Sequence, residues 1–283
     1  MGGAEEDYAV SGSTLQAQID AANAYEALFV PALFRQWAAK VADAAQITPG
    51  QRALDVACGT GILAREAVMR TGATGHVAGV DPLPGMLAVA KGLAPAVEWR
   101  EGAAESLPFP DGSFDVVVSQ FGLMFFTDRH RALREMLRVL TPGGRMAVAV
   151  WDSLDRIPAY AAEVELLEQV AGRRAADALR SPFALGDRHR LGTLFEDAGA
   201  ASVEVTTQHG TAQFPSIRVM VEADLRGWLP VMGIQLTEAE ISRILQEAEQ
   251  VLSSYATAEK RVVFHLSAHL VTAKRPHVAR RSV

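Results

Sequence analysis

Between Ala53 and Trp151 the chain alternates short apolar runs with helical segments, and this alternation limits the possible folds more than any other feature. The runs are ALDVA (Ala53–Ala57), HVAGVD (His76–Asp81), AVEWR (Ala96–Arg100), FDVVVSQ (Phe114–Gln120) and GRMAVAVW (Gly144–Trp151). ILAREAVMR, GMLAVAKGL and RALREMLRVL, which lie among them, have helical spacing. Such alternation implies βαβ units and a parallel sheet. Right-handed crossovers then place helices on both faces.

Outside this stretch the rhythm changes. Residues 1–13 read as a flexible lead. Leu15 to Ala45 has helical spacing broken at Pro31, and Leu33, Phe34, Trp37 and Val41 form one apolar stripe. After Trp151 come helical segments near Ala159–Ala171 and Arg173–Leu179, then a helix closing at Gly199. SVEVTTQ (Ser202–Gln208) and VVFHLSAHLVTAK (Val262–Lys274) read as two more strands. Thr237 and Glu240 have capping-box spacing, Leu236 and Ile241 that of a hydrophobic staple, and Ile241, Ile244, Leu245, Ala248, Val251 and Leu252 mark an apolar helix face. The tail Lys274–Val283 reads as frayed. The expectation is an α/β protein with a seven-stranded, mostly parallel sheet. Lid helices occupy residues 1–45, the core 46–152, and residues 153–283 complete the sheet around helical inserts at 153–185 and 210–260.

Composition excludes several classes. Cys58 is the only cysteine among 283 residues, so neither a disulfide framework nor a cysteine-rich metal site is expected. The net charge of −6 argues against a basic nucleic-acid surface. No apolar run reaches the roughly 18 residues a membrane span needs. The expectation is a cytoplasmic monomer or homodimer acting on a small molecule, with no metal.

The central motif is LDVACGTGILA, Leu54 to Ala64. Gly59 and Gly61 fall where a strand turns into a helix, which lets the backbone turn sharply and a ligand approach closely. Asp81 ends the second strand, where a carboxylate can accept both hydroxyls of a ribose. Asp81 also reads as a helix N-cap. Gly59-x-Gly61-x-x-Ala64 alone fits a dinucleotide fingerprint, so a nicotinamide oxidoreductase is one reading. Charge weighs against it. A dinucleotide brings a pyrophosphate to the helix N-terminus, and Asp55 would repel it at short range. A cofactor bearing a sulfonium and an ammonium is attracted instead.

With these motifs, and with GVDPLPGML, EGAAESLPFPDGSFDVVVSQFGL and MLRVLTPGGRMAVAVW, the chain resembles a class I S-adenosylmethionine-dependent methyltransferase. The resemblance is to the broad branch that includes ubiquinone/menaquinone-type and natural-product small-molecule enzymes, and it is strong over residues 45–152. It implies a Rossmann-like sheet and S-adenosylmethionine as cofactor, with S-adenosylhomocysteine as product. It further implies that Asp55, Gly59 and Gly61 face the methionine part and that Asp81 binds the ribose diol. Pro82 and Met86 would flank the adenine, and Ala103 and Ala104 would offer backbone groups at its edge. Gln120 would hold the methionine end through its backbone, and Tyr25 would be a lid. Relatives often carry aspartate where this chain has Ala103, so one acceptor for the adenine amino group is missing, a loss of about 1 kcal/mol if unreplaced. A scaffold that kept the cofactor site and lost the chemistry is a second reading.

Transfer from a sulfonium needs alignment and exclusion of water more than acid–base groups. No catalytic triad is evident. Phe121, Met124 and Phe125 suggest an apolar acceptor wall, joined by Trp151, Tyr160, Trp228 and Met232, and Tyr160 is the candidate for proton transfer. Cys58 reads as a small buried filler. His130 and His189 read as surface residues, His265 and His269 as packing or solvent contacts, and His209 as a weak base. The favoured acceptor is a phenolic, quinone-like or other secondary metabolite.

Overall fold

The computed structural model describes residues 14–277; the expected lead at 1–13 and the end of the tail, 278–283, lie outside the described residues. Seven strands form one sheet in the order β3-β2-β1-β4-β5-β7-β6. They are β1 (Arg52–Val56), β2 (His76–Asp81), β3 (Glu98–Glu101), β4 (Phe114–Gln120), β5 (Leu140–Trp151), β6 (Ala201–Phe214) and β7 (Val262–Lys274). The first five pair in parallel, and β7 runs antiparallel to both β5 and β6. The central strands read as continuous apolar runs because helices cover both faces: Val116, Val117 and Val118 of β4 and Ala147 to Val150 of β5 are fully buried. The order steps from β1 outward in both directions, to β2 and to β4. That reversal opens a crevice at the carboxyl ends of β1 and β4, where ligands bind in such sheets.

Helices α1 (Leu15–Phe29) and α2 (Arg35–Ala45) precede the sheet. Pro31 does not separate them. A π-helical turn, Val30–Phe34, carries the chain continuously from one to the other. The wider turn takes in the proline, which has no N–H to donate. The crossovers contain α3 (Ile62–Thr71), α4 (Pro84–Leu93) and α5 (Arg129–Val139). After β5 come α6 (Pro158–Ala171), α7 (Arg173–Arg180) and α8 (Arg188–Asp197); between β6 and β7 come α9 (Ile217–Ala223), a second π-turn at Asp224–Trp228, α10 (Leu229–Val231) and α11 (Glu238–Val251).

Three sequence expectations are corrected. The sixth strand does not stop at Gln208. His209 to Phe214 continue it, pairing with Val262 to Ser267 of β7 beyond the point where Trp151 of β5 meets Ala268. Gly210 interrupts the β-forming pattern there, which hid the extension, and the second insert begins after Phe214. At this edge Gln36 of α2 acts as a surrogate strand: its amide donates to Thr211 O at 2.8 Å and accepts from Thr211 N at 2.9 Å. Second, Val251 is exposed, although the rest of the expected α11 face is buried. The capping box at its start is formed, with Glu240 accepting from Thr237 N at 2.7 Å. Third, the tail is docked as far as Arg275, whose N–H donates to Gly144 O at 3.0 Å and whose guanidinium donates to Arg138 O at 2.8 Å.

Candidate active site

The glycine turn gives its two glycines different tasks. Both have positive φ, +53° at Gly59 and +84° at Gly61. A Cβ on Gly61 would lie 2.4 Å from the Trp99 indole, which also closes over Gly79. A Cβ on Gly59 would meet nothing within 4 Å. Gly61 is therefore required by packing as well as by backbone conformation, whereas Gly59 borders open space that a ligand can approach.

Asp81 joins this turn to the end of β2. Its carboxylate accepts from Gly59 N and from Leu83 N, each at 2.9 Å. It is not the N-cap of α4, a position held by Leu83 without a side-chain bond. Burial pushes Asp81 up to about 6, against the pull of the two backbone N–H groups. Asp55, on the neighbouring strand, is 1% exposed, and neither carboxyl oxygen has a hydrogen-bond partner. Burial raises it well above the carboxylate range, and the nearby Asp81 adds to the shift. The Cys58 thiol between them is raised for the same reasons, burial first and then the two acids, which leaves it an inert filler.

Further along the carboxyl edge, the Oγ of Ser119, the Oε1 of Gln120 and the Nε1 of Trp37 are also buried without partners. Gln120 spends its Nε2 on Phe34 O at 3.2 Å. Orphaned buried polar atoms are rare in native structures because each costs on the order of 1–3 kcal/mol. Here the atoms of Asp55, Ser119 and Gln120 gather at the ends of the two strands that flank the crevice.

The cover is α1, fixed by contacts the sequence did not reveal. Glu26 accepts from Thr60 Oγ1 at 2.5 Å and from Arg65 Nη2 at 2.7 Å, which clamps α1 onto the glycine turn. A Cβ on Gly85 of α4 would lie 2.6 Å from the backbone of Gln18, so the two helices touch where that glycine stands. Tyr25 is held in place by Phe34, at 5.4 Å between ring centres, and by Phe29, at 5.9 Å. Its phenol is raised by burial, then by Asp81, Glu26 and Asp55, so the hydroxyl lies within the field of both strand-end acids. Pro82 and Ala103 are exposed, Met86 is half-buried and Ala104 is buried.

Beyond Gln120 an aromatic wall forms. Phe121, itself at φ +57°, stacks on Trp151 with ring centres 3.8 Å apart. Phe34 and Trp37 pack against both rings. Met124 is buried, while Phe125 is largely exposed and leans on Trp228 at 5.0 Å. Trp228 donates Nε1–H to Ala178 O at 3.0 Å. Tyr160 is buried against Phe183 and Phe264. Met232 packs half-buried just after α10, its N–H donating to Trp228 O at 3.2 Å. His130, His189, His209 and His265 are exposed. His269 is buried among satisfied partners, with Thr207 Oγ1 at 3.0 Å, Gly186 O at 2.9 Å and Asp152 Oδ1 at 3.1 Å; Asp152 also accepts from Ser267 Oγ at 2.8 Å. That network ties β5, β6 and β7 to the loop before α8. Among the described residues no group of metal-ligating side chains is found, and no helix is long and apolar enough to cross a membrane.

A family profile described as "Methyltransferase domain" matches residues 54–148, from β1 into β5. The ubiquinone/menaquinone biosynthesis C-methyltransferase UbiE of Cronobacter sakazakii is 33% identical over 197 residues, covering 63% of this chain and 77% of the relative. The chain belongs to the class I S-adenosylmethionine-dependent methyltransferases. The UbiE protein of Ectopseudomonas mendocina is 44% identical over 122 residues, covering 41% of this chain, but the match spans only 48% of that relative. Among solved structures, the YcgJ protein of Bacillus subtilis superposes with a TM-score of 0.57 at 20% identity, covering 86% of this chain and 99% of its own. A Haemonchus contortus phosphoethanolamine N-methyltransferase 2 solved with S-adenosyl-L-methionine gives 0.57 at 18%, covering 94% and 61%. At these identities the two structures establish the shared fold.

The cofactor of this family is S-adenosylmethionine, and the residues present fit it. The unpartnered Asp55 carboxyl offers a counter-charge for a cation, and the open side of Gly59 gives it room. Asp81 has acceptor capacity beyond its two backbone bonds. The match to the methyltransferase family removes the nicotinamide reading.

Proposed function

We propose that the chain transfers a methyl group from S-adenosylmethionine to a small, moderately apolar organic acceptor of phenolic, quinone-like or other secondary-metabolite type. The observation carrying this reading is the junction of two unlike surfaces at the carboxyl edge of the sheet. The anionic crevice of Asp55 and Asp81 abuts the wall of Phe34, Trp37, Phe121 and Trp151. Relatives named for C-methylation of ubiquinone and menaquinone precursors support an aromatic acceptor.

The bound cofactor supplies a methyl group already activated on a sulfonium. The chain contributes alignment and dryness. Asp55 would hold the amino end, Asp81 the ribose hydroxyls, and the backbone of Gly59, Gly61 and Gln120 the methionine portion. Pro82, Met86, Ala103 and Ala104 would border the adenine. Tyr25, clamped through Glu26, would keep water out. The aromatic wall would orient a flat acceptor, with effective molarity as the main source of acceleration. A cytoplasmic location fits the single unpaired Cys58.

Incubating the chain with methyl-labelled S-adenosylmethionine and a panel of phenols, quinols and amines tests the reading. Label in an organic product is the expected result. Tight S-adenosylhomocysteine binding with no transfer to any member would favour the scaffold reading. Stabilisation by NAD in place of S-adenosylhomocysteine would overturn both.

A further inference from the structure

Glu163 stands one turn after Tyr160 on the buried side of α6, among Ala159, Val164, Leu166 and Leu167. It is 0% exposed, and neither carboxyl oxygen has a hydrogen-bond partner. Asp224 opens the second π-turn, is 4% exposed, and leaves its Oδ2 without a partner. The two acids lie 61 positions apart in sequence, yet the charge of Asp224 reaches Glu163, and both raise the Tyr160 phenol beyond the effect of its burial. Burial drives Glu163 well up, with Asp224 adding to it, and carries Asp224 to about 8.

The charged groups on the surrounding elements are engaged elsewhere. On α7, Arg180 pairs with Asp177 and with Glu168 of α6; on α11, Arg243 pairs with Glu247. Arg226, in the same π-turn as Asp224, pairs with Glu222 of α9 and Glu238 of α11. Two buried acids without a cation are costly when ionised and wasteful of hydrogen bonds when neutral.

Aromatic rings stand on the same elements. Tyr160 packs on Phe183 and Phe264, and Tyr255 on Phe264. The π-turn carries Trp228, which faces Phe125. The same turn reaches the cofactor lid, because a Cβ on Gly227 would lie 3.8 Å from the Phe29 ring, the ring that packs on Tyr25. Carboxyls on elements that also carry aromatic rings suit a cationic nitrogen, which donates hydrogen bonds to the acids and is attracted by the ring faces.

We propose that Glu163 and Asp224 form a subsite that binds a protonated amine carried by the acceptor. This rests on the proposed function, in which the neighbouring aromatic wall borders the acceptor. The subsite specifies a basic nitrogen on the acceptor and leaves the methylated atom open. Binding such a cation stabilises the carboxylate forms, so protons leave the pair as the amine enters.

The test uses the full chain saturated with S-adenosylhomocysteine, with 2-phenylethylamine and its uncharged counterpart 2-phenylethanol as probes in calorimetry at pH 7.5. The amine is expected to bind at least tenfold more tightly than the alcohol. Its binding enthalpy should change with the ionisation enthalpy of the buffer, as proton release requires. Glu163→Gln and Asp224→Asn should reduce the preference to about twofold or less, with S-adenosylhomocysteine affinity retained as evidence of folding. Equal binding of the two probes to the unmodified chain overturns the subsite and leaves the proposed acceptor site standing, and this comparison needs no variant. A preference that survives in both substituted chains also overturns it. Failure of both probes to bind a chain that holds S-adenosylhomocysteine overturns the placement of the acceptor site itself.

Discussion

The molecule contains two pairs of buried acids, built in opposite ways. Asp55 and Asp81 sit at the ends of adjacent parallel strands, where sheet register sets their positions: Asp55 pairs with Gly79, and Val56 with Val80, immediately before Asp81. Glu163 and Asp224 sit on helical segments that share no ladder and come within each other's field only because two inserts pack together. The first pair has backbone N–H groups close by, and Asp81 uses two of them. The second has aromatic rings and no backbone donor in a described bond. Asp81 is thus partly solvated by the fold, so its ionisation is accessible near neutral pH, whereas Asp55, without a partner, is raised well above the carboxylate range. Glu163 and Asp224, buried without a cation, would depend on a ligand for their charge.

The sharpest way to break this comparison is at Asp81. Asp81→Ala removes the carboxylate that unites Gly59 and Leu83 and would hold the ribose. It should weaken S-adenosylhomocysteine binding by roughly 2–3 kcal/mol, about 30- to 150-fold, since charge-assisted hydrogen bonds are lost. Unchanged affinity in calorimetry would take Asp81 out of the cofactor site.

The two glycines sharpen the distinction between packing and binding. Gly61→Ala should destabilise the chain by about 2–4 kcal/mol, combining a clash with Trp99 and a left-handed backbone. Gly59→Ala should cost about 1 kcal/mol in stability, for its φ alone, and show its main effect in cofactor affinity. Thermal unfolding and calorimetry on the same samples check this, and equal stability losses would remove the division of labour.

At the lid, Glu26→Ala should speed amide hydrogen exchange along α1 and weaken cofactor binding by about 1–2 kcal/mol, because two bonds from Thr60 and Arg65 are lost. Exchange in α1 that is unaltered would show that the Gln18–Gly85 contact suffices to hold it.

The smallest effect concerns pH. The folded chain keeps a proton on Asp81 up to about 6, while the unfolded chain releases it near the ordinary carboxylate value. Between those values the folded state binds more protons, so rising pH removes stability from the ligand-free chain. Ribose hydroxyls donate to the carboxylate form, so S-adenosylhomocysteine affinity should rise by less than tenfold per pH unit from pH 5 to 7 and then flatten. Asp81→Asn should reduce that slope, as followed by calorimetry across the range.

Much of the cofactor half was legible because it depends on local rules. Strand, glycine turn and helix follow one another within a few residues, and the sheet places the last residues of β1, β2 and β4 side by side. Asp55, Gly59, Asp81 and Gln120 therefore fall at one edge once the alternation is recognised. The aromatic wall was half legible. Phe121 follows β4 and Trp151 ends β5, strands that the structure pairs, whereas Phe34 enters through a π-turn that the proline signal presented as a break. Glu26, Trp99 and Gln36 gave no signal, since each acts on a partner from a distant part of the chain.

Sequence by itself determined the parallel core and the acidic character of its crevice, because periodicity and strand-end position are properties of neighbouring residues. Tertiary structure alone decided that α1 is clamped over the crevice, that β6 and β7 extend past β5, and that Glu163 comes within the field of Asp224. Each of these depends on side chains far apart in the chain being forced together as apolar faces are buried. No local pattern encodes which two faces will meet.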